Sequence, residues 1–263
     1  SGRRQVKLLP HKDSQYDVHA LARAGYLNIY QSYQARPILN CETIVAFLGE
    51  RGTRAIFQGV FRVSGMRTGH QVPPVPGTLP HPELAALAFH YDLEPLPGFK
   101  DLEERVVIDW GKSAVSWHQW LDPDRPKKVI EILPTGYVGD FPGYENILLS
   151  HDELCRLIAN PDANRTWLAL LRAVAGVYLI VDRNTGRQYV GSAYGQNGIL
   201  GRWYEYARNC HGGNQLLRNL INSSPSYASH FQYSILCTLP GSTNKNEVLA
   251  MEALFKRKLG SRS

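Results

Sequence analysis

The sequence lacks any apolar run long enough to cross a bilayer as a helix, and no signal pattern is visible at its start. Cysteine is scarce. The four present, Cys41, Cys155, Cys210 and Cys237, are far apart and show no CxxC spacing, so neither a disulfide framework nor a zinc finger is indicated. A reduced, cytoplasmic protein with no membrane partner is the expectation. Acidic residues are scarce in one part only: residues 165–263 hold four Asp or Glu against twelve Lys or Arg, whereas residues 1–164 hold nineteen against seventeen. The whole positive excess therefore sits in the C-terminal part, as it would on a surface facing a polyanion. Plain solubility is the competing explanation. The length of 263 residues accommodates two modest domains, and 43% hydrophobic content is enough for a core in each.

What is present centres on Gly176 to Gly191, GVYLIVDRNTGRQYVG. Two apolar and aromatic runs, Val177 to Val181 and Arg187 to Val190, flank Asp182-Arg183-Asn184-Thr185-Gly186, which has the chemistry of a hairpin turn. Side chains alternate along a strand, so Tyr178 and Tyr189 can share one end of a small sheet with both hydroxyls available. Their ordinary role would be that of good strand formers. Gly198 to Ala207 then has helical spacing, with Arg202 and Tyr206 one turn apart on one face. A second helix, roughly Lys245 to Leu259, carries the apolar stripe Val248, Met251, Phe255 and Leu259, and Glu252 lies inside that stripe. A carboxylate on a buried face must be paired, protonated or metal-bound. Glu247 stands three residues after Asn244, a capping relation that accounts for it structurally.

In these residues the chain resembles the GIY-YIG nuclease superfamily. Gly176-Val177-Tyr178 stands for the first motif, Tyr189-Val190-Gly191 for the second, Arg202 for the helix arginine, Tyr206 for the position one turn on, and Glu252 for the metal-binding glutamate. The resemblance runs from about Ala175 to the end. It departs in two places: Ser192 stands where some members carry a lysine, and the family's asparagine beyond the glutamate falls past Ser263. The resemblance implies a Mg²⁺ (or Mn²⁺) dependent endonuclease acting on double-stranded DNA. Glu252 would hold the ion, Arg202 would grip the scissile phosphate, and Tyr178 and Tyr189 would position or deprotonate water. Tyr206 and His211 are further candidates for orienting phosphate or water, His211 having an ordinary alternative as a loop residue. A phenol acting as base needs a nearby metal or Arg202 to lower its pKa. One such site cuts one strand, so a homodimer or two successive events is implied for a double-strand break.

Ahead of this part, about fourteen residues rich in Lys, Arg and His read as an arm without period. Val18 to Leu48 mixes a helix-like start with strand-like segments. Tyr30, Gln31 and Tyr33 there are either half-buried structural residues or a base-stacking edge. Strands are expected at Ala55–Ser64, Phe89–Leu96, Leu102–Trp110 and Lys128–Leu133, with Met66 to Pro82, rich in Pro and Gly, as a surface connector. Trp110, Trp117, His118 and Trp120 form either core packing or an aromatic cage for a flipped or modified base. Ser150 caps a helix, and Asn160 to Asn164 marks a boundary, with Asn164 capping the next helix.

The expected fold is α+β. Residues 1–163 form a β-rich, barrel-like target-recognition domain, comparable at fold level to PUA-, SRA- or EVE-like readers of modified nucleotides. Residues 164–263 form a small β-β-α-α-β-α nuclease-like domain. A restriction or defence enzyme selecting modified DNA, a repair or homing-type nuclease, and a DNA-binding module with a degenerate nuclease fold all fit this pattern.

Overall fold

The computed structural model describes residues 5–77, 79, 81–111 and 118–261. The fold is α+β, and the chain divides into two compact units, Ser1–Leu133 and Pro134–Ser263.

The first unit runs β1 (Val6–His11), α1 (Val18–Arg23), α2 (Leu27–Ser32), β2 (Tyr33–Gln34), β3 (Thr43–Gly49) and β4 (Arg54–Thr68). It continues through β5 (Phe89–Pro95), β6 (Val106–Asp109), β7 (Gln119–Trp120) and β8 (Lys128–Ile132). These eight strands form one sheet in which β4 is the hub: residues 54–56 pair with β6, and residues 61–68 pair with β5. Bulges at Ala46/Phe47 and Val63/Gly65 add local twist, and the sheet curls as a half-barrel. Among the described residues it stays open, with β2, β7 and β8 each paired on one side only.

The supposed N-terminal arm is instead β1, parallel to β3 and antiparallel to β7. Its period was invisible because Lys7 to His11 are all buried, so no polar face alternates with an apolar one. The Pro-rich connector is also packed rather than loose. Leu79 and Leu84 enter a cluster with Leu21 and Tyr33, and the Tyr33 hydroxyl donates to the carbonyls of Pro73 and Pro74.

The second unit contains β9 (Leu149–Ser150), α3 (His151–Ala159), α4 (Arg165–Ala173), β10 (Val174–Asp182) and β11 (Gln188–Ala193). After these come α5 (Gly198–Asn209), α6 (Gln215–Ser223), β12 (Phe231–Pro240) and α7 (Lys245–Leu259). The antiparallel sheet has the order β11-β10-β12-β9. Leu154, Leu157, Trp167, Leu171, Ile199 and Trp203 pack with Tyr178, Ile180, Phe231 and Tyr233 in one core. Each such side chain contributes roughly 1.5–3 kcal/mol on burial.

This core moves the boundary from residue 163/164 to 133/134. Residues 149 and 150 pair with β12, and α3 supplies two fully buried leucines, so a turn at Asn160 to Asn164 connects elements within one unit. Asn164 does not cap α4 with its side chain. Its amide holds the preceding loop instead, accepting from the Val138 N–H at 3.1 Å and donating to the Gly136 carbonyl at 2.9 Å. Ser150 and Glu153 do form the reciprocal capping box of α3. Among the described residues no helix is long and apolar enough to cross a membrane.

Candidate active site

Position on the hairpin is set first by Asp182. Its buried carboxylate accepts from the Thr185 hydroxyl at 2.6 Å, the Tyr227 hydroxyl at 2.8 Å and the Asn184 N–H at 3.0 Å. Burial works against the charged form, and these hydrogen bonds outweigh it, holding the Asp182 pKa below the usual aspartate value. The turn is thereby fixed and so is the register of β10 on β11: Tyr178 faces Gly191 and Ile180 faces Tyr189. Tyr178 and Ile180 are two residues apart, so Tyr178 and Tyr189 lie on the same face as diagonal neighbours.

Tyr178 is 1% exposed and lies edge-on to Trp203 and Tyr206. A Cβ at residue 191 would meet its hydroxyl at 2.4 Å, so glycine there is a steric requirement. Helix α5 places Tyr206 with its hydroxyl 3.2 Å from that of Tyr178. Arg202, one turn earlier, lies against the Tyr206 ring at 5.8 Å and donates to the Gly212 carbonyl at 3.0 Å. Gly212, at φ +53°, lies against the Tyr206 ring, where a Cβ would come within 2.6 Å of it.

Helix α7 brings in Glu252. Its stripe differs from the expected one: Val248 is buried, Met251 and Phe255 are half-buried, and Leu259 is exposed. Glu252 is held at the edge of β11, where it accepts from the Ser192 hydroxyl and pairs with Lys256 at 2.7 Å. Tyr178, Tyr189, Arg202, Tyr206 and Glu252 all line one cleft of about 530 Å³, together with Ser192 and Lys256.

His211 is not among the residues lining that cleft. Its Nδ1 accepts from the Gly213 N–H at 2.9 Å, and burial, with Arg218 second, lowers its pKa. It closes the turn after α5.

The electrostatics also revise the expected base chemistry. Burial raises the Tyr206 pKa well above the phenol value, and burial followed by the Asp182 charge raises that of Tyr189. Both are hydrogen-bond donors at neutral pH rather than bases. Burial disfavours the Arg202 charge, but the phenols of Tyr178 and Tyr206 more than offset it, so the guanidinium is held firmly protonated. Glu252 carries the one carboxylate among the described lining residues, and no cluster of three metal-ligating side chains occurs among the described residues. A carboxylate with a hydroxyl beside it in an open, water-accessible cleft suits Mg²⁺, a hard ion that keeps most of its water. It does not suit a dedicated protein cage.

Ser192 and Lys256 were not anticipated as site residues. Lys256 had a legible signal, standing four residues after Glu252 on a helix. Ser192 had only its place next to Gly191, where some GIY-YIG nucleases carry a lysine.

In the first unit, Gln31 is fully buried, its Oε1 2.9 Å from His11 Nε2 and its amide donating to Asn28 at 3.0 Å. It belongs to an internal polar network, not to a binding edge. Tyr30 and Tyr33 line a cavity of about 370 Å³ with Tyr16 and Gln34, the Tyr30 hydroxyl donating to Asp13 at 2.7 Å. Among the described residues, Trp110 and Trp120 do not come together as a cage. Trp110 is buried with Phe47 and Phe57, with Lys127 at 4.4 Å over its ring, while Trp120 packs on a different cluster under Lys7. Burial and then the Lys7 charge lower the pKa of half-buried His118. Trp117 lies outside the described residues.

No protein-family model and no curated protein matches the chain. A solved structure described as a mutant catalytic domain of intron endonuclease I-TevI matches at 23% identity, covering 33% of this chain and 84% of that one, with a TM-score of 0.26. A likeness of that extent assigns neither an activity nor site residues.

Proposed function

We propose that the C-terminal unit is a divalent-metal-dependent DNA endonuclease and that the N-terminal unit selects its target. The observation that carries this reading is the convergence of two diagonal strand tyrosines, Arg202 and Glu252 on one cleft, in the part of the chain with the positive excess. Those residues are the ones on which the resemblance to GIY-YIG nucleases rests.

Phosphodiester hydrolysis needs a positioned water, charge stabilisation on phosphorus and help for the leaving oxygen. Arg202 supplies a fixed fork of donors for two phosphate oxygens. Its bond to the Gly212 carbonyl and its contact with Tyr206 pre-set that fork before substrate arrives. Tyr206 and Tyr189, kept protonated by burial, donate hydrogen bonds to phosphate or water. Tyr178, which lines the cleft beside Tyr206, orients the attacking water. Glu252 would hold the Mg²⁺ or Mn²⁺ ion with Ser192 beside it, and the bound ion would lower the pKa of a coordinated water and offset charge on the phosphate. His211 has no part in this scheme. A single cleft serves one strand, so a homodimer or two sequential events makes a double-strand break.

Target selection is assigned to the cavity lined by Tyr16, Tyr30, Tyr33 and Gln34, whose aromatic walls suit a base, including a modified one. With target selection placed there, the role proposed is restriction or defence, in the cytoplasm.

The test is incubation with Mg²⁺ and either plasmid or phage DNA carrying altered cytosines. Cleavage confined to the altered DNA is expected, with EDTA abolishing it. Arg202→Lys should lose at least about 100-fold in rate while the circular dichroism spectrum is unchanged. Cutting by Glu252→Gln at the wild-type rate would refute the assignment. Cleavage of neither DNA would favour a binding module, a reading to which the engagement of both Glu252 oxygens lends some support.

A further inference from the structure

Both carboxylate oxygens of Glu252 are engaged. Oε2 accepts from the Ser192 hydroxyl, and Oε1 lies 2.7 Å from the Lys256 ammonium. The two side chains of the pair are 17% and 26% exposed, so water screens it less than a surface pair. Other lysines of α7 are placed differently: Lys245 sits over the Tyr194 ring and Lys258 over the Phe255 ring. Lys256 and Arg202 are the two basic side chains among the described residues lining the cleft.

We propose that Lys256 is an internal counter-ion of Glu252 that a divalent cation must displace, and that a DNA phosphate is the partner that releases it. The inference rests on the reading of Glu252 as the metal ligand. An ammonium and a metal ion placed on one carboxylate repel each other and crowd the same oxygen, so the binding of one opposes the other. The lysine head is a compact charge on a flexible stem and can turn to a phosphate once one enters beside Arg202. DNA then frees the carboxylate, and metal and DNA bind with positive coupling. Linkage requires that each raise the affinity of the other by the same factor.

Mn²⁺ binding to the full chain, read by electron paramagnetic resonance with and without a nuclease-resistant phosphorothioate duplex, tests this. Lys256→Gln keeps a good helix former and should bind Mn²⁺ about fivefold more tightly than wild type without DNA. The duplex should tighten Mn²⁺ binding in wild type and do so much less in Lys256→Gln. Lys258→Gln removes the same charge two residues along α7, where the lysine lies over the Phe255 ring and not against Glu252, and should stay within about twofold of wild type. Unchanged or weaker Mn²⁺ binding by Lys256→Gln, or an equal gain in Lys258→Gln, would overturn the counter-ion. Undiminished binding by Glu252→Gln would instead overturn the metal assignment beneath it.

Discussion

Gly191→Ala tests the packing that positions Tyr178, because the two possible outcomes differ in sign. Alanine in a strand interior normally gains roughly 0.5–1 kcal/mol over glycine. At residue 191 the new methyl would lie 2.4 Å from the Tyr178 hydroxyl, 2.5 Å from Cζ and 2.8 Å from Cε2. Carbon contacts are comfortable at about 3.5–4 Å, so the ring must retreat by about 1 Å. Tyr178 has no room to do so, since Trp203 and Tyr206 stand edge-on against it and both are buried. Overpacking of this kind costs roughly 1–3 kcal/mol, which exceeds the propensity gain. The expected outcome is net destabilisation, read as a fall in amide-exchange protection along β10 and β11 of about tenfold per 1.4 kcal/mol. Cleavage should drop by about 100-fold from the misplaced phenol. Adding Tyr178→Phe removes the nearest atom but leaves Cζ, so protection should recover in part. Protection that stays level or rises in Gly191→Ala would refute the argument.

Burial holds His11, in contact with Gln31, down to a pKa of about 4. Below its ordinary value of 6.5 the unfolded chain takes up a proton that the folded one refuses, so first-unit stability is full above that pH. It should decline by roughly 3 kcal/mol as pH falls towards 4, and His11→Gln should flatten that stretch of the urea-denaturation profile. Asp182 gives the second unit a dependence of the same sign, at lower pH. Its depressed pKa means that its stabilisation is present above the unfolded aspartate value and lost as pH drops through the folded one, below 3.8. Asp182→Asn should cost roughly 1–3 kcal/mol at neutral pH and remove that acid-sensitive step, as measured by thermal melts.

Local chemistry made part of this protein legible in advance. The turn residues from Asp182 to Gly186, the alternation around Tyr178 and Tyr189, the spacing of Arg202 and Tyr206, and the caps at Ser150 and Asn244 all act within a few residues. Periodicity and hydrogen-bonding preference therefore specify them without reference to the rest of the chain. Tertiary packing decided the remainder. Residues Val6–His11 became a strand because both faces are covered, which erases the alternation that would have marked them. Leu154 and Leu157 carried the boundary thirty residues upstream by joining the core built on β12. His211 left the cleft because the turn after α5 uses its ring nitrogen internally. The Glu252 partners, Ser192 from a distant strand and Lys256 from the same helix, were chosen by which faces of β11 and α7 meet. Spacing along the chain fixes which side chains share a face, and only the folded core fixes which faces converge on one cleft.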